Sequence, residues 1–212
     1  MKMILTIICL LTTTWARAGL IVSQTFSPGV TIPAGNPVGV AEAGTFTAAG
    51  AGNEVLGITV GLNISGGCNG SLYAYLVAPS GTLVTLMNQP GVSVDWFGAE
   101  SSGMNITLSD TGGTSIQDVT GGYGTLLTGT YQADQTLGTF GSSSANGTWG
   151  VYFASQESGG GDAVLNSFTL NIEIIPEPVN AALGIFLALA GAVMLAREAM
   201  RRFLKNRNSA RQ

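Results

Sequence analysis

Short runs in which hydrophobic positions alternate with polar residues or glycine dominate the middle of the chain. In residues 55–64, aliphatic side chains from Leu56 to Leu62 occupy every second position, and glycine or Thr59 occupies the positions between them. A two-residue period of this kind predicts a half-buried β-strand. The 3.6-residue period of an amphipathic helix is not sustained before Val179, so the pattern favours an all-β domain over a helix bundle.

Clusters of Gly, Asn, Ser and Pro separate the predicted strands. Residues 78–81, Ala-Pro-Ser-Gly, form a β-turn sequence, and Asn146-Gly147 is a dipeptide that tight hairpins favour. Many short strands at this spacing predict an antiparallel β-sandwich or jelly roll. We expect residues 19–52 to form a Gly/Pro-rich arm with the first strands, and residues 53–175 to form the main sandwich. The predicted strands are residues 29–32, 45–47, 55–64, 71–77, 82–87, 104–108, 148–154 and 164–174.

The two ends of the chain carry a different pattern from the middle. Lys2 is followed by a short apolar run, and Ala16-Arg17-Ala18 then supplies the small residues of a cleavage site. This arrangement predicts a secretory signal peptide over residues 1–18, cut after Ala18. The segment that follows is therefore expected outside the cytoplasm.

The C-terminal end contains an apolar run over residues 179–196. Eighteen helical residues reach about 27 Å, close to the thickness of the hydrocarbon core of a bilayer. Arg197, Arg201 and Arg202 begin a basic tail, residues 197–212, which resists translocation and stays in the cytoplasm. This pattern predicts one transmembrane helix in the inner membrane, with the N-terminus outside, and a plain C-terminal anchor explains it on physical grounds.

Pro176-Glu177-Pro178 stands directly before that run, in an extended stretch just outside the predicted membrane span. This order of Pro-Glu-Pro, short apolar helix and Arg-rich end resembles the PEP-CTERM sorting signal of Gram-negative bacteria. The resemblance covers about thirty residues. It implies that an exosortase-type enzyme in the membrane cuts near Pro176, Glu177 and Pro178 and passes the protein to the cell surface or the extracellular matrix.

Charge is distributed very unevenly along the chain. Between Gly19 and Ile175 there are ten carboxylates and no Lys, Arg or His. Binding of nucleic acid is excluded for this segment because phosphate contacts need cations. Cys68 is its only cysteine, so no disulfide can form within it.

The absence of Lys and Arg between Gly19 and Ile175 gives a sharp prediction for trypsin, which cuts after those residues. We expect the segment to remain one intact fragment even when trypsin is added in denaturant, as measured by mass spectrometry. A Ser80→Arg variant is the matched control and should give one new cut. Any internal cut in the unmodified segment would contradict the prediction.

A second resemblance covers residues 51–174. The motifs occur in the order expected of the P domain (P/Homo B domain), the jelly-roll module beside the catalytic domain of subtilisin-like proprotein convertases. They are Asn-Ile-Ser-Gly-Gly at 63–67, Ala-Pro-Ser-Gly-Thr at 78–82, Asn-Ile-Thr-Leu-Ser-Asp at 105–110, Asn-Gly-Thr-Trp at 146–149 and Leu-Asn-Ser-Phe-Thr-Leu at 165–170. The resemblance implies a β-sandwich that assists or stabilises a protease, or a module displayed on a bacterial surface.

Candidate chemistry is sparse. Asp110-Thr111-Gly112 is the tripeptide of aspartic proteases, but there is no second copy to share a proton with it. A serine hydrolase lacks its usual base, because the chain has no His. A hydrolase that uses paired carboxylates stays open as an alternative. Calcium is the one cofactor with a physical motive, since loop carboxylates are hard oxygen ligands for it. The candidate ligands are Asp110, Asp118, Asp134 and Asp162.

These observations lead to one main hypothesis and two alternatives. The main hypothesis is an exported, non-catalytic protein of the cell surface or matrix, with a structural or adhesive role and a glycan or protein partner. The first alternative is an accessory module for a subtilisin-like serine protease, and the second is the carboxylate-based hydrolase.

Overall fold

The computed structural model describes residues 19–48, 54–175 and 178–209, which divide into two compact units with the boundary between Pro176 and Glu177. The first unit is built from strands and the second is a helix. The β unit packs two sheets face to face, so the prediction of an all-β sandwich is confirmed.

Six strands form the first sheet. They are β1 (Leu20–Phe26), β2 (Val30–Ile32), β4 (Val55–Gly66), β7 (Met104–Leu108), β8 (Leu127–Tyr131) and β10 (Ala163–Ile174). The order across the sheet is β1-β10-β4-β7-β8, and β2 also pairs with β10. All pairs are antiparallel except β7 and β8, which run parallel, so the purely antiparallel sheet that we predicted needs this correction.

Four strands form the second sheet. They are β3 (Asn36–Phe46), β5 (Leu72–Val77), β6 (Leu83–Asn88) and β9 (Gly147–Ser155), in the order β3-β9-β5-β6. Every pair in this sheet is antiparallel. The β5–β6 hairpin turns at the predicted Ala-Pro-Ser-Gly sequence, where the N–H of Gly81 donates to the carbonyl of Ala78 at 2.9 Å.

The core lies between the two sheets, where the inward residues of both interdigitate. Trp149 fills its centre, fully buried, with its edge against the ring of Phe140 at a centroid distance of 5.2 Å. Its indole N–H donates to the carbonyl of Ala145 at 2.8 Å, which satisfies the one polar group that the side chain buries. Phe168 from β10 is also fully buried and stacks on Phe26 of β1.

The register of β4 differs in one detail from the prediction, which placed Leu56 on the same face as Ile58, Val60 and Leu62. Val60, Leu62 and Ile64 point into the core as predicted, but Leu56 is 45% exposed. A β-bulge explains this, because Glu173 pairs with Gly57 while the next residue, Ile174, pairs with Val55. Leu56 is the extra residue at the bulge, so the alternation changes phase there.

Two parts of the sandwich differ from the prediction. Strands β1 and β2 belong to the first sheet and β3 belongs to the second, so the domain begins at Leu20 rather than at residue 53, and the N-terminal arm is not a separate element. Strand β8, like β1, was not predicted at all. Its sequence, Leu-Thr-Gly-Thr-Tyr, carries too little hydrophobic alternation to be recognised without its partner β7.

Three short 3₁₀ turns lie between strands, at Asn69–Ser71, Ile116–Asp118 and Leu137–Phe140. The hydroxyls of Ser115 and Thr136 cap the second and third of them by accepting from the N–H of Gln117 and Gly138. The carboxylate of Asp110 also reaches the third turn.

The second unit is a single helix, α1 (Pro178–Ser209), which begins at a proline and continues through the basic residues that were predicted as a separate tail. Proline is favoured in the first turn because it lacks the N–H that would be unpaired there. In the part of the chain that the structure describes, no helix is long and apolar enough to cross a membrane. The predicted span over residues 179–196 therefore finds no support here.

Candidate binding site at the loop end of the sandwich

The carboxylate of Asp110 is fully engaged with the turn that it faces. It follows β7, and its Oδ1 accepts from the N–H of Leu137 at 2.7 Å. Its Oδ2 accepts from the N–H of Gly138 at 2.7 Å and from the hydroxyl of Thr136 at 2.9 Å. These bonds cap the N-terminus of the 3₁₀ turn at Leu137–Phe140, so the Asp-Thr-Gly tripeptide has a structural explanation.

The four predicted calcium ligands do not come together. The carboxylate of Asp162, in the connection between β9 and β10, accepts a hydrogen bond at 2.9 Å from the N–H of Ala34, in the connection between β2 and β3. Asp118 lies exposed in the second 3₁₀ turn. Partial burial raises the pKa of the Asp134 carboxyl, although much of that side chain stays exposed. No three acidic, Cys or His residues of the described chain form a group that could hold a metal ion, so the sequence-based calcium site is not formed.

Half of the predicted sorting and processing residues lie outside the described ranges. Ala16, Ala18, Pro176 and Glu177 belong to that undescribed set. Pro178 is the first residue of α1, and Arg197, Arg201 and Arg202 lie further along the same helix. Arg197 and Arg201 are exposed there.

A cavity of about 390 Å³ opens where several loops meet at one end of the sandwich. Four loops form it: the loop that follows β4, and the loops that connect β6 to β7, β7 to β8 and β9 to β10. We call it the loop-end cavity. Its lining residues are Gly67, Cys68, Ser71, Phe97, Glu100, Ser102, Tyr123, Gly124, Glu157, Gly159 and Gly160.

Hydrogen bonds hold these loops to one another. The N–H groups of Asn69 and Gly70 donate to the carbonyls of Ser101 and Ala99, both at 2.9 Å. The buried side-chain amide of Asn69 donates to the hydroxyl of Ser101 at 2.8 Å and to the carbonyl of Gly103 at 2.7 Å. The loop between β6 and β7 is therefore fixed against the first 3₁₀ turn.

Close packing adds to that attachment. A Cβ on Gly70 would lie 2.8 Å from the backbone of residues 97–99, so only glycine permits the approach. The half-buried thiol of Cys68 donates to the carbonyl of Ala99 at 3.6 Å. Ser71 completes the floor, with its hydroxyl 2.8 Å from the carbonyl of Cys68 and 2.9 Å from the hydroxyl of Ser155.

Exposed aromatic side chains accompany this floor. Phe97 and Tyr123 line the cavity, and Trp96 directly precedes Phe97 in the same loop. Trp96, Phe97 and Tyr123 are 87%, 83% and 89% exposed, the highest values among the large hydrophobic side chains of the described chain. Glu100 and Glu157 line the same cavity. The site thus offers aromatic faces and two carboxylate acceptors, and residues 19–175 contain no Lys, Arg or His that could neutralise them.

Sequence reasoning missed this site. The aromatic residues lie in stretches that lack the two-residue alternation of a strand, Asp-Trp-Phe-Gly at 95–98 and Gly-Gly-Tyr-Gly at 121–124. Aromatic side chains in Gly-rich connections were the available signal, because a loop rarely buries them. Their meeting at one cavity depends on how the loops fold back, which no local pattern shows.

The outer face of the second sheet carries a separate aromatic cluster. Tyr75 of β5 stacks on Tyr152 of β9 with ring centroids 4.5 Å apart, and Tyr73 meets both rings edge-on. The hydroxyl of Tyr152 donates to the carbonyls of Pro37 and Val38, at 2.8 and 3.1 Å. Burial, followed by the neighbouring Tyr75 and Tyr73, raises the pKa of Tyr152 above 10.0.

This pKa shift predicts a loss of stability at high pH. Because the folded state holds the Tyr152 proton more tightly, its contribution is complete below pH ~10 and is lost as the pH rises through the folded-state pKa. In chemical denaturation between pH 7 and pH 11, we expect the free energy of unfolding to fall more steeply for the wild-type chain than for Tyr152→Phe. The exposed Tyr123→Phe is the control and should follow the wild type. Equal slopes for wild type and Tyr152→Phe would contradict the prediction.

Comparison with known proteins gives matches at the level of fold only. No protein-family model matches the chain, and no curated protein matches it. The crystal structure of the Aeromonas sobria serine protease in complex with the chaperone ORF2 matches 81% of this chain and 29% of the matched chain, at 13% identity and a TM-score of 0.50. A second structure, of serine protease of Aeromonas sobria, matches 77% of this chain and 28% of that one, at 12% identity and a TM-score of 0.46.

A third structure, of FlhE, matches 74% of this chain and 98% of its own, at 13% identity and a TM-score of 0.41. The β unit therefore shares its fold with part of the Aeromonas protease complex. This chain spans less than a third of the matched protease structures. The likeness is compatible with a β-rich, P-domain-like fold.

Proposed function

We propose that this chain is an exported, non-catalytic β-sandwich displayed at the cell surface or in the matrix, where it acts as an adhesive module through its loop-end cavity. The observation that carries the proposal is the group of three exposed aromatic side chains at that end, Phe97 and Tyr123 in the cavity lining and Trp96 beside them. A rigid sandwich that presents such loops is a common way to build a binding surface.

The energetics favour a partner that covers these side chains. Burial of apolar surface contributes about 25 cal/mol of favourable binding free energy per Å². A large aromatic side chain can bury about 150–250 Å². Aromatic residues at the centre of an interface often dominate its binding energy. The loops are already held by hydrogen bonds, so little ordering cost remains when a partner binds.

The chemistry of the unit supports a role without catalysis. The chain has no His, and the carboxylate of Asp110 is occupied by three hydrogen bonds. The carboxylates of Glu100 and Glu157 line one cavity together, and they are the residues that a carboxylate-based hydrolase would use. Glycosidase activity of the purified chain that disappears in Glu100→Gln or Glu157→Gln would refute the adhesive proposal.

Export and processing form the second part of the proposal. Pro176-Glu177-Pro178 and the basic residues that follow in α1 support sorting by an exosortase-type enzyme. Mass spectrometry of the mature protein should find an N-terminus at Gly19 and a C-terminus near Pro176. A mature chain that retains Lys2 would refute export through this signal.

An accessory role beside a serine protease is the second candidate function. The fold shared with part of the Aeromonas sobria serine protease complex, at a TM-score of 0.50, favours it together with the P-domain resemblance. Co-purification of a subtilisin-like protease that loses heat stability without this chain would support this role over adhesion.

The adhesive role can be tested on Gram-negative cells that display the full chain. We expect Phe97→Ala combined with Tyr123→Ala to reduce cell attachment and cell–cell aggregation by at least ~10-fold, the loss of about 1.4 kcal/mol or more. Both residues are exposed, so the melting temperature should not change. Val38→Ala, an 80% exposed residue on β3, is the matched control. Unchanged attachment of the double variant would refute the proposal.

A further inference from the structure

The outward face of the first sheet carries a row of small neutral side chains across five strands. Thr25 of β1 pairs with Thr169 of β10, which pairs with Gly61 of β4. Gly61 pairs in turn with Thr107 of β7, and Thr107 pairs with Thr130 of β8. Residues paired in this way share one face of the sheet, so four threonines and a glycine form one row across the strands, with neighbours about 4.8 Å apart.

The next row on the same face is also neutral and polar. It runs from Ser167 of β10 to Asn63 of β4, Asn105 of β7 and Thr128 of β8. None of the residues in the two rows is charged or aromatic, although this unit carries ten carboxylates. We call these two rows the polar face.

Gly61 makes a groove in the middle of the polar face. This groove has a volume of about 270 Å³, and the residues around it include Asn63, Asn105, Thr107 and Thr169. A Cβ on Gly61 would lie 3.3 Å from the Cβ of Thr169, so a side chain there would fill the space between the neighbouring strands. The backbone of Gly61 is not among the left-handed glycines, so its conformation does not explain the choice of glycine.

Unused hydrogen-bonding groups remain around the groove. Asn63 accepts from the amide of Asn166 at 2.8 Å, which leaves its own NH₂ group available. Asn171 donates to the hydroxyl of Thr59 at 3.1 Å, which leaves its carbonyl oxygen available. The side chain of Asn105, exposed on the next strand, makes no hydrogen bond to any described residue. The groove thus offers both amide donors and amide acceptors, on strands whose register is fixed.

We propose that the polar face binds a neutral polysaccharide, with one sugar seated in the groove at Gly61. Neutral amides and hydroxyls match sugar hydroxyls, which both donate and accept hydrogen bonds. An anionic polymer finds no cation here, and a protein partner finds none of the aromatic or Arg anchors that interfaces prefer. Ice is another neutral surface that could be considered as a partner. It would fit an uninterrupted row of side chains better than this row, which the groove at Gly61 interrupts. This site is separate from the loop-end cavity and does not depend on it.

Weak binding is expected for a short oligosaccharide, with Kd on the order of 1 mM, because no aromatic ring stacks on the sugar and each neutral hydrogen bond contributes little. A long polysaccharide would bind more tightly by engaging several copies of the displayed chain. The measurement must therefore detect weak complexes.

The test uses nuclear magnetic resonance of the full chain with cellohexaose and maltohexaose as probes. We expect at least one of them to shift backbone amide signals of β10, β4 and β7, together with the side-chain NH₂ signals of Asn63 and Asn105. Gly61→Thr fills the groove with a residue that strands favour, so it should keep the fold and weaken binding at least ~10-fold. Asn105→Ala should weaken binding by a smaller factor of ~3. Thr148→Ala, an exposed threonine on the second sheet, should bind as the wild type does.

Three outcomes would overturn the proposal. The first is that neither oligosaccharide shifts these signals. The second is that Gly61→Thr and Asn105→Ala both bind as the wild type does. The third is that the shifts map to the loop-end cavity, in which case the adhesive role would stand and the polar face would have no part in it. Ice shaping by the wild-type chain, without oligosaccharide binding, would replace the polysaccharide by ice.

Discussion

Trp149→Ala should lower the free energy of unfolding by about 3–5 kcal/mol, which is typical when a buried Trp is truncated. The side chain is fully buried, its ring packs edge-on against Phe140, and its N–H is bonded to the carbonyl of Ala145. Truncation leaves a cavity between the sheets and a carbonyl without its partner. In a unit of this size the melting temperature should fall on the order of 10 °C, measured by far-UV circular dichroism.

Trp96→Ala provides the matched control for that experiment. Trp96 is 87% exposed, so its removal should change stability by less than ~0.5 kcal/mol. A similar loss in both variants would contradict the placement of Trp149 in the core and Trp96 in solvent. A small effect of Trp149→Ala alone would mean that the two sheets are packed less tightly than described.

Asp110→Ala should destabilise the chain by about 1–3 kcal/mol, because it leaves a backbone N–H of the 3₁₀ turn without its acceptor. That N–H belongs to the buried Leu137, whereas the N–H of Gly138 loses its shorter bond to Asp110 and keeps the hydroxyl of Thr136 at 3.3 Å. Asp110→Asn should cost less, since its one amide oxygen can still accept from one of the two. The measurement is urea denaturation at pH 7.

Asp118→Ala is the control for the capping role. The Asp118 side chain is exposed and makes no hydrogen bond to the described residues, so we expect a change below ~0.5 kcal/mol. Equal losses for Asp110→Ala and Asp118→Ala would refute the cap. Cleavage of denatured protein by the wild-type chain at acid pH, abolished by Asp110→Asn, would instead return Asp110 to a catalytic role.

Local sequence was sufficient for strands whose alternation is strong. β7 matches residues 104–108 as predicted, and β5, β6, β9 and β10 lie within one residue of their predicted bounds at each end. β4 extends two residues beyond its predicted end. In β5 and β7, which alternate throughout, the hydrophobic residues determine both the element and its buried face, because burial of one side of a sheet fixes the period.

Elements that depend on distant partners could not be predicted in the same way. Strand β3 is rich in Gly, Ala and Pro, and it is held by its pairing with β9, which lies far along the chain at residues 147–155. Gly39 shows the dependence clearly. Its φ is +62°, and a Cβ at this position would lie 2.3 Å from the carbonyl oxygen of Phe153, so only glycine fits. The phase change at Leu56 likewise follows from a bulge opposite β10.

The same limit applies to the functional sites. The role of Asp110 depends on a turn 27 residues further along the chain, so the tripeptide alone did not show that its carboxylate caps a turn. The loop-end cavity needs four separate connections to meet, and the polar face needs the register of five strands. One property of both sites could be predicted from composition alone: neither contains a Lys, Arg or His, because residues 19–175 have none.

The position of β10 has a consequence for how the chain is made. β10 is the last strand of the sandwich, yet in the described structure it is the only strand that pairs with β1 and with β2. A ribosome produces the N-terminus first, so both early strands wait without a partner until residues 163–174 have been synthesised. The first sheet can therefore be completed only after residues 163–174 have been synthesised, so folding of this unit depends on contacts between its first and last strands.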